Sequence, residues 1–287
     1  MTMLNFQRIG NILRDSFRPS PGPGTVWPLF WFSIKSILLS KKKTPLLLLF
    51  LLIPLALTLM LASTLDDYTS GTDEVTSAYG GRAWFQDILS QVFFPLLVPI
   101  VTAAYATAVI GEEVEGKTLP YVFTRPVYRN WVVLSKSAAF LLASTVLGIV
   151  AVTATYFVAV SITEDPFRNI DELFGYWSAV ALAVFATGGL FLLLGVSMKP
   201  AMILIATYTF VWETFFSNLI PSSILKYSFV WYERAYINSF IGREAGFGTR
   251  LLVDVPGPTE AGMTLLVIGI VGVLLSLVVV SMRDYNV

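Results

Sequence analysis

Long apolar runs, not an alternating or amphipathic period, organise this chain. Crossing a hydrocarbon core of ~30 Å takes about 20 mostly apolar residues. Six stretches meet that length: residues 45–65, 88–110, 137–162, 176–198, 200–220 and 261–282. Five of them carry no charge, and 200–220 carries Glu213 alone. Backbone groups in lipid must be satisfied within their own segment, and the period-2 alternation of a membrane barrel is absent, so the pattern predicts six transmembrane helices.

Shorter patterns frame these spans. Residues 1–18 place Phe6, Ile9, Leu13 and Phe17 at helical spacing with Arg8, Arg14 and Arg18 interleaved, and lack the apolar core of a signal peptide. The run PSPGPG (Pro19 to Gly24) breaks any helix. In the following VWPLFWFSIKSILLSKKK, Phe30, Ile34, Ile37 and Leu38 share one face, and Ser33, Ser36 and Ser40 are expected opposite. Too short to span and edged with lysine, this stretch is expected to lie in the cytoplasmic interface as an elbow helix, set off from the first span by Pro45. Residues 221–260 are the longest segment outside the spans. Their first half, PSSILKYSFVWYERAYINSFIG, is dense in the aromatic residues that settle at headgroup level. About 40 residues bury too little surface to fold alone, so short helices tucked into the outer leaflet are expected there.

Composition places the chain in the same class. It is 55% hydrophobic and 13% charged over 287 residues, against roughly 45–50% apolar and about 25% charged for soluble domains. The expectation is an all-α integral membrane protein: a cytoplasmic and interfacial region at 1–44, then a six-span domain at 45–287. Net charge is zero, so no nucleic-acid partner is expected. Charge placement gives the orientation. With a cytoplasmic N-terminus, the inner segments hold 13 Lys and Arg and the outer segments 6. Among short connections, Asp66 to Asp87 has one Arg among five acids, whereas Gly111 to Lys136 has four basic residues. Both termini are therefore expected in the cytoplasm of a multi-pass protein of the cell membrane.

Candidate chemistry is sparse. The chain has no Cys and no His, which removes disulfides, thiol nucleophiles and the usual transition-metal ligands. No metal site is expected and the chain itself is not expected to be an enzyme. Ser135 and Lys136 adjoin, but neighbours on a helix point about 100° apart and do not form a nucleophile–base pair. The stretch GEEVEGKT, Gly111 to Thr118, matches the phosphate-loop pattern. Its surroundings argue against that function: a membrane span precedes it, where a nucleotide-binding fold supplies a buried strand. Three of its variable positions are Glu112, Glu113 and Glu115, which repel a polyanion.

A different reading accounts for this loop. Gly116 suits the left-handed residue that ends a helix, and Thr118 suits the N-cap of a new one. Leu119, Val122 and Phe123 then share a face, Arg125 lies beside it, and Pro126 suits the first turn of the next helix. The result is a short cytosolic helix whose apolar edge faces either a partner or the protein's own inner helices. The sequence GEEVEGKTLPYVFTRPVYRNWVVLSK, residues 111–136, resembles the coupling loop of type-2 ATP-binding-cassette permeases. The six-span layout, the elbow helix, the short connection at Lys199 and Pro200 and the long outer segment are similar to that family too.

The resemblance implies a function. A pair of permease chains, a homodimer being the favoured form, would work with two separate ATPase subunits, which bind ATP and Mg²⁺; this chain would bind no cofactor. Nucleotide-driven closure of the ATPases would move the loop around Leu119 to Phe123 and shift the helices between permeases, exporting a hydrophobic or amphipathic substrate. Mechanical signalling to an outer-face protein is the variant within the family. An intramembrane enzyme, a channel or an ion-coupled transporter would need several polar groups inside the spans. Glu213 is open to two readings, a pathway residue or an interface Glu where the fifth span ends early. Gly188, Gly189, Gly195, Gly262, Gly269 and Gly272 permit close helix approach, and Pro95 and Pro99 could kink the second span.

Overall fold

A computed structural model describes residues 26–39, 44–68, 81–115, 129–161, 166–167, 170–197, 201–216, 228–241 and 256–282. Among them every regular element is helical. The order is α1 (Val26–Leu39), α2 (Thr44–Tyr68), α3 (Gly81–Ile88), a π-helical stretch (Leu89–Leu97), α4 (Val98–Glu115), α5 (Arg129–Ser161), α6 (Ile170–Ser197), α7 (Ala201–Thr207), a second π-helical stretch (Tyr208–Phe216), α8 (Phe229–Ile241) and α9 (Pro258–Met282). Four segments are long and apolar enough to cross a membrane: Trp84–Thr107, Asn130–Ser161, Ile170–Ser197 and Pro258–Met282. Two shorter apolar helices, Leu48–Met60 and Ile203–Glu213, fall within the expected first and fifth spans.

Helix α6 sits at the centre, packed against α4, α5, α8 and α9. Glycine sets how close two of these neighbours come. A Cβ built on Gly189 of α6 would lie 2.5 Å from the carbonyl oxygen of Gly269 in α9, and one on Gly195 would lie 3.2 Å from the carbonyl oxygen of Ala106 in α4. Backbone therefore meets backbone at both crossings, the small-residue packing that replaces hydrophobic driving force in lipid. Aromatic side chains fill the wider gaps: Phe50 stacks on Phe93 at 5.1 Å, and Phe85 meets Tyr156 and Tyr176 edge-on at 5.4 and 5.0 Å. Buried hydroxyls close on their own helices, as Thr58 does on the Pro54 carbonyl and Thr187 on that of Ala183.

The outer faces invert the pattern of a water-soluble core. Leu142, Val146 and Val150 on α5, and Met263, Leu266, Val267, Ile270, Val271 and Leu274 on α9, are exposed large hydrophobics. Faces of that apolar extent call for lipid or a partner helix. On α1, Phe30 and Ile34 pack against the core and Ile37 is buried, with α1 lying along α5. Trp27, Trp31 and Phe32 are exposed. The expectation for Ser33 fails: it is buried on the Phe30–Ile37 face, because it lies three residues from one and four from the other. Its hydroxyl avoids an unpaired burial by donating to the Leu29 carbonyl at 2.8 Å.

The first π-helical stretch coincides with a proline. Pro95 lies inside it. Proline lacks an N–H and its ring crowds the carbonyl four residues back, which disfavours the α ladder at this point. The helix continues on i→i+5 bonds, and the N–H of Val98 donates to the carbonyl of Phe93. In that register the carbonyl of Ser90 faces position 95, where proline offers no donor.

Candidate functional site

The described polar groups converge on α8, a 13-residue helix that packs against α6, α9 and the first π stretch. Its N-terminal N–H groups have no intrahelical acceptors. Glu213, from the second π stretch, supplies one. Its Oε2 accepts from the Val230 N–H at 3.4 Å and from the Ser228 hydroxyl, while Oε1 accepts from the Tyr208 hydroxyl at 2.7 Å. A carboxylate at the positive end of a helix dipole is favourably placed. The π register makes this geometry available: in an α-helix positions five apart point about 140° away from each other, whereas an i→i+5 ladder stacks Tyr208 and Glu213 on one side.

Arg234 fixes the other side of the junction. Its Nε donates to the carbonyl of Ser90 at 3.2 Å and a terminal guanidinium nitrogen donates to Gln91 Oε1 at 3.5 Å. The acceptor is the carbonyl five residues before Pro95, which has no N–H to offer it in an i→i+5 ladder. Tyr236, two residues on, pairs with Ser178 of α6 at 3.1 Å. Helix α8 is thus tied through side chains to both π stretches and to the central helix.

Glu213, Glu233 and Arg234 are all buried, at 0%, 1% and 6% exposure. Among the described residues, neither oxygen of Glu233 has a hydrogen-bond partner. Burial pushes the Glu233 carboxyl well above the usual carboxylate range; the charge of Glu213 adds to this and Arg234 opposes it. Burial lowers the Arg234 guanidinium from its ordinary value, with Glu233 and Glu213 acting in the other direction.

Of the residues singled out in the sequence, Glu112, Glu113 and Glu115 lie at the end of α4, which runs through to Glu115. Gly111 to Glu115 are therefore helical. A phosphate loop instead needs that backbone turned with its N–H groups free. Gly116, Thr118, Leu119, Val122, Phe123, Arg125 and Pro126 lie outside the described residues. Glu213 is brought together with four residues that sequence reasoning missed: Tyr208, Ser228, Glu233 and Arg234. The signal that could have found the last two is an adjacent acid and base inside the aromatic run FVWYERAYINSF.

No curated protein and no solved structure matches this chain. A family model described as ABC-2 family transporter protein matches residues 38–229, from the end of α1 to the start of α8, and so takes in Glu213 and Ser228 but not Glu233 and Arg234. With well over half its length matched, and with four helices among the described residues long and apolar enough to cross a membrane, the chain belongs to the ABC-2 transporter family as a membrane permease.

Proposed function

We propose that this permease is the membrane half of an ATP-driven exporter, with six spans and cytoplasmic termini. Two permease chains, a homodimer by preference, pair with two ATPase subunits in the cell membrane. Permeases of this family work with an ATP-binding partner, and in this reading ATP and Mg²⁺ belong to that partner. This chain holds no cofactor of its own. The match over residues 38–229 carries the reading, because it contains the whole segment 111–136.

The geometry on either side of that segment supports a coupling role. Helix α4 continues through three glutamates beyond its apolar run, and α5 starts at Arg129 before its own. Two long helices thus run past their apolar stretches on either side of the segment 116–128. A push on Leu119, Val122 and Phe123 would be delivered to both helices and, through α4, to the centrally placed α6. The substrate class is hydrophobic or amphipathic, in keeping with the uncharged spans. Purification of the tagged chain in mild detergent tests the reading: an ATPase subunit should accompany it, and its consistent absence from a catalytically active preparation would refute the assignment.

A further inference from the structure

Among the described residues the junction leaves Glu233 without a hydrogen-bond partner, and its one neighbouring cation, Arg234, is shared with Glu213. Three donors converge on Glu213, the backbone N–H of Val230 among them, which is the arrangement an ionised carboxylate takes. Arg234 is the one cation near both carboxylates, and its N–H groups are directed to Ser90 and Gln91. Two acids thus face one guanidinium. Glu233 is 1% exposed, and among the described residues both its oxygens are without a hydrogen-bond partner. It lies three residues beyond Val230 on the same face of α8, one turn from the N–H that Glu213 caps.

A buried carboxylate needs its charge cancelled and its oxygens filled. A proton would do the first and leave both oxygens still without partners. A cation that brings N–H donors, or that takes oxygen ligands, does both. Charge limits it to one positive unit, since two carboxylates, Glu213 and Glu233, already share the single guanidinium of Arg234. We propose that Glu233, beside Glu213, binds a single monovalent cationic group at the junction of α8 with the second π stretch. Two sources share that chemistry, an alkali ion and the ammonium group of an organic amine. The site itself does not depend on the transport reading; only an amine as cargo would rest on it.

The test uses the full chain in nanodiscs near neutral pH. Tetraethylammonium chloride, bulky and without N–H donors, holds ionic strength constant while it is replaced stepwise by sodium, potassium or n-hexylammonium chloride. The wild type should show a saturable rise in melting temperature. Glu233→Gln should lose that rise, and Glu260→Gln, an exposed carboxylate in the first turn of α9, should keep it. Saturation by sodium or potassium identifies an inorganic ion, and saturation by hexylammonium alone identifies an organic ammonium. Isothermal titration of the unaltered chain with the same salts is an independent measurement if Glu233→Gln does not fold: one site per chain supports the proposal and no binding refutes it. An equal rise in Glu233→Gln, or a response to pH alone that Glu233→Gln abolishes, would also overturn it.

Discussion

Arg234 donates from Nε to the carbonyl oxygen of Ser90 at 3.2 Å, across 144 positions of sequence. Ser90 is five residues before Pro95, so the i→i+5 bond to its carbonyl has no N–H to supply it. The carbonyl five residues before a proline is thus met by an arginine of the short helix α8. Leaving a buried acceptor unpaired costs about 1–3 kcal/mol. Arg234→Lys keeps the charge and loses the planar fork, and should lower the melting temperature in detergent. Pro95→Ala restores an N–H at position 95, so the double variant should lose less than the sum of the two single changes. Strict additivity in that cycle would show that the two residues are not linked.

Glu213 gives a graded series. Glu213→Ala leaves the Ser228 hydroxyl and the Val230 N–H buried without their acceptor, at about 1–3 kcal/mol for each group. Ser228→Ala removes one donor and leaves Val230 capped, so it should cost less. Thermal melts of the two variants should rank in that order, and a Glu213→Ala melt equal to wild type would remove the capping role.

The α6–α9 crossing should tolerate no side chain. Gly189→Val would drive a Cβ to 2.5 Å from the Gly269 carbonyl oxygen, where backbone must move. Overpacking of this kind costs about 1–3 kcal/mol or more. Gly257→Ala, with nothing within 4 Å of its Cβ, is the control. Folded yield by size-exclusion chromatography should fall sharply for the first and stay level for the second.

Hydropathy alone located the long helices, because an uncharged run of span length in lipid has no alternative but to bond within itself. Glu213 stood out for the same reason, as the one charge in such a run. What it touches was not legible. An i→i+5 register leaves no mark on an apolar pattern, and it is the register that turns Tyr208 and Glu213 to one side. Pro95 could be read as a kink but not as the source of an orphan carbonyl, since the donor that answers it lies on a helix far along the chain. Glu233 and Arg234 were absorbed into an aromatic segment expected at headgroup level, where adjacent charges face water; both are buried. Ser33 went astray more simply, because small polar residues on a short helix were assumed to gather away from the core.

The orientation is testable because the chain has no native cysteine. Single replacements Ser70→Cys and Gly248→Cys should react with an impermeant thiol reagent on intact cells. Ser20→Cys and Thr124→Cys should react only after the cells are opened. Labelling of Thr124→Cys from outside would place the segment 111–136 on the wrong side for an ATPase.

Coupling through Leu119, Val122 and Phe123 is the central claim, and one substitution separates it from packing of the same face against the chain's own helices. Burying a Leu or Phe side chain contributes about 1.5–3 kcal/mol, and a few anchors dominate most interfaces. The decisive measurement is copurification of the ATPase subunit with Phe123→Asp, beside the melting temperature of the permease alone, with Leu119→Asp as a second anchor. The account predicts that both variants express and melt like wild type while losing the ATPase subunit, or its substrate-stimulated ATP hydrolysis. A large fall in melting temperature with the ATPase still bound and stimulated would contradict it.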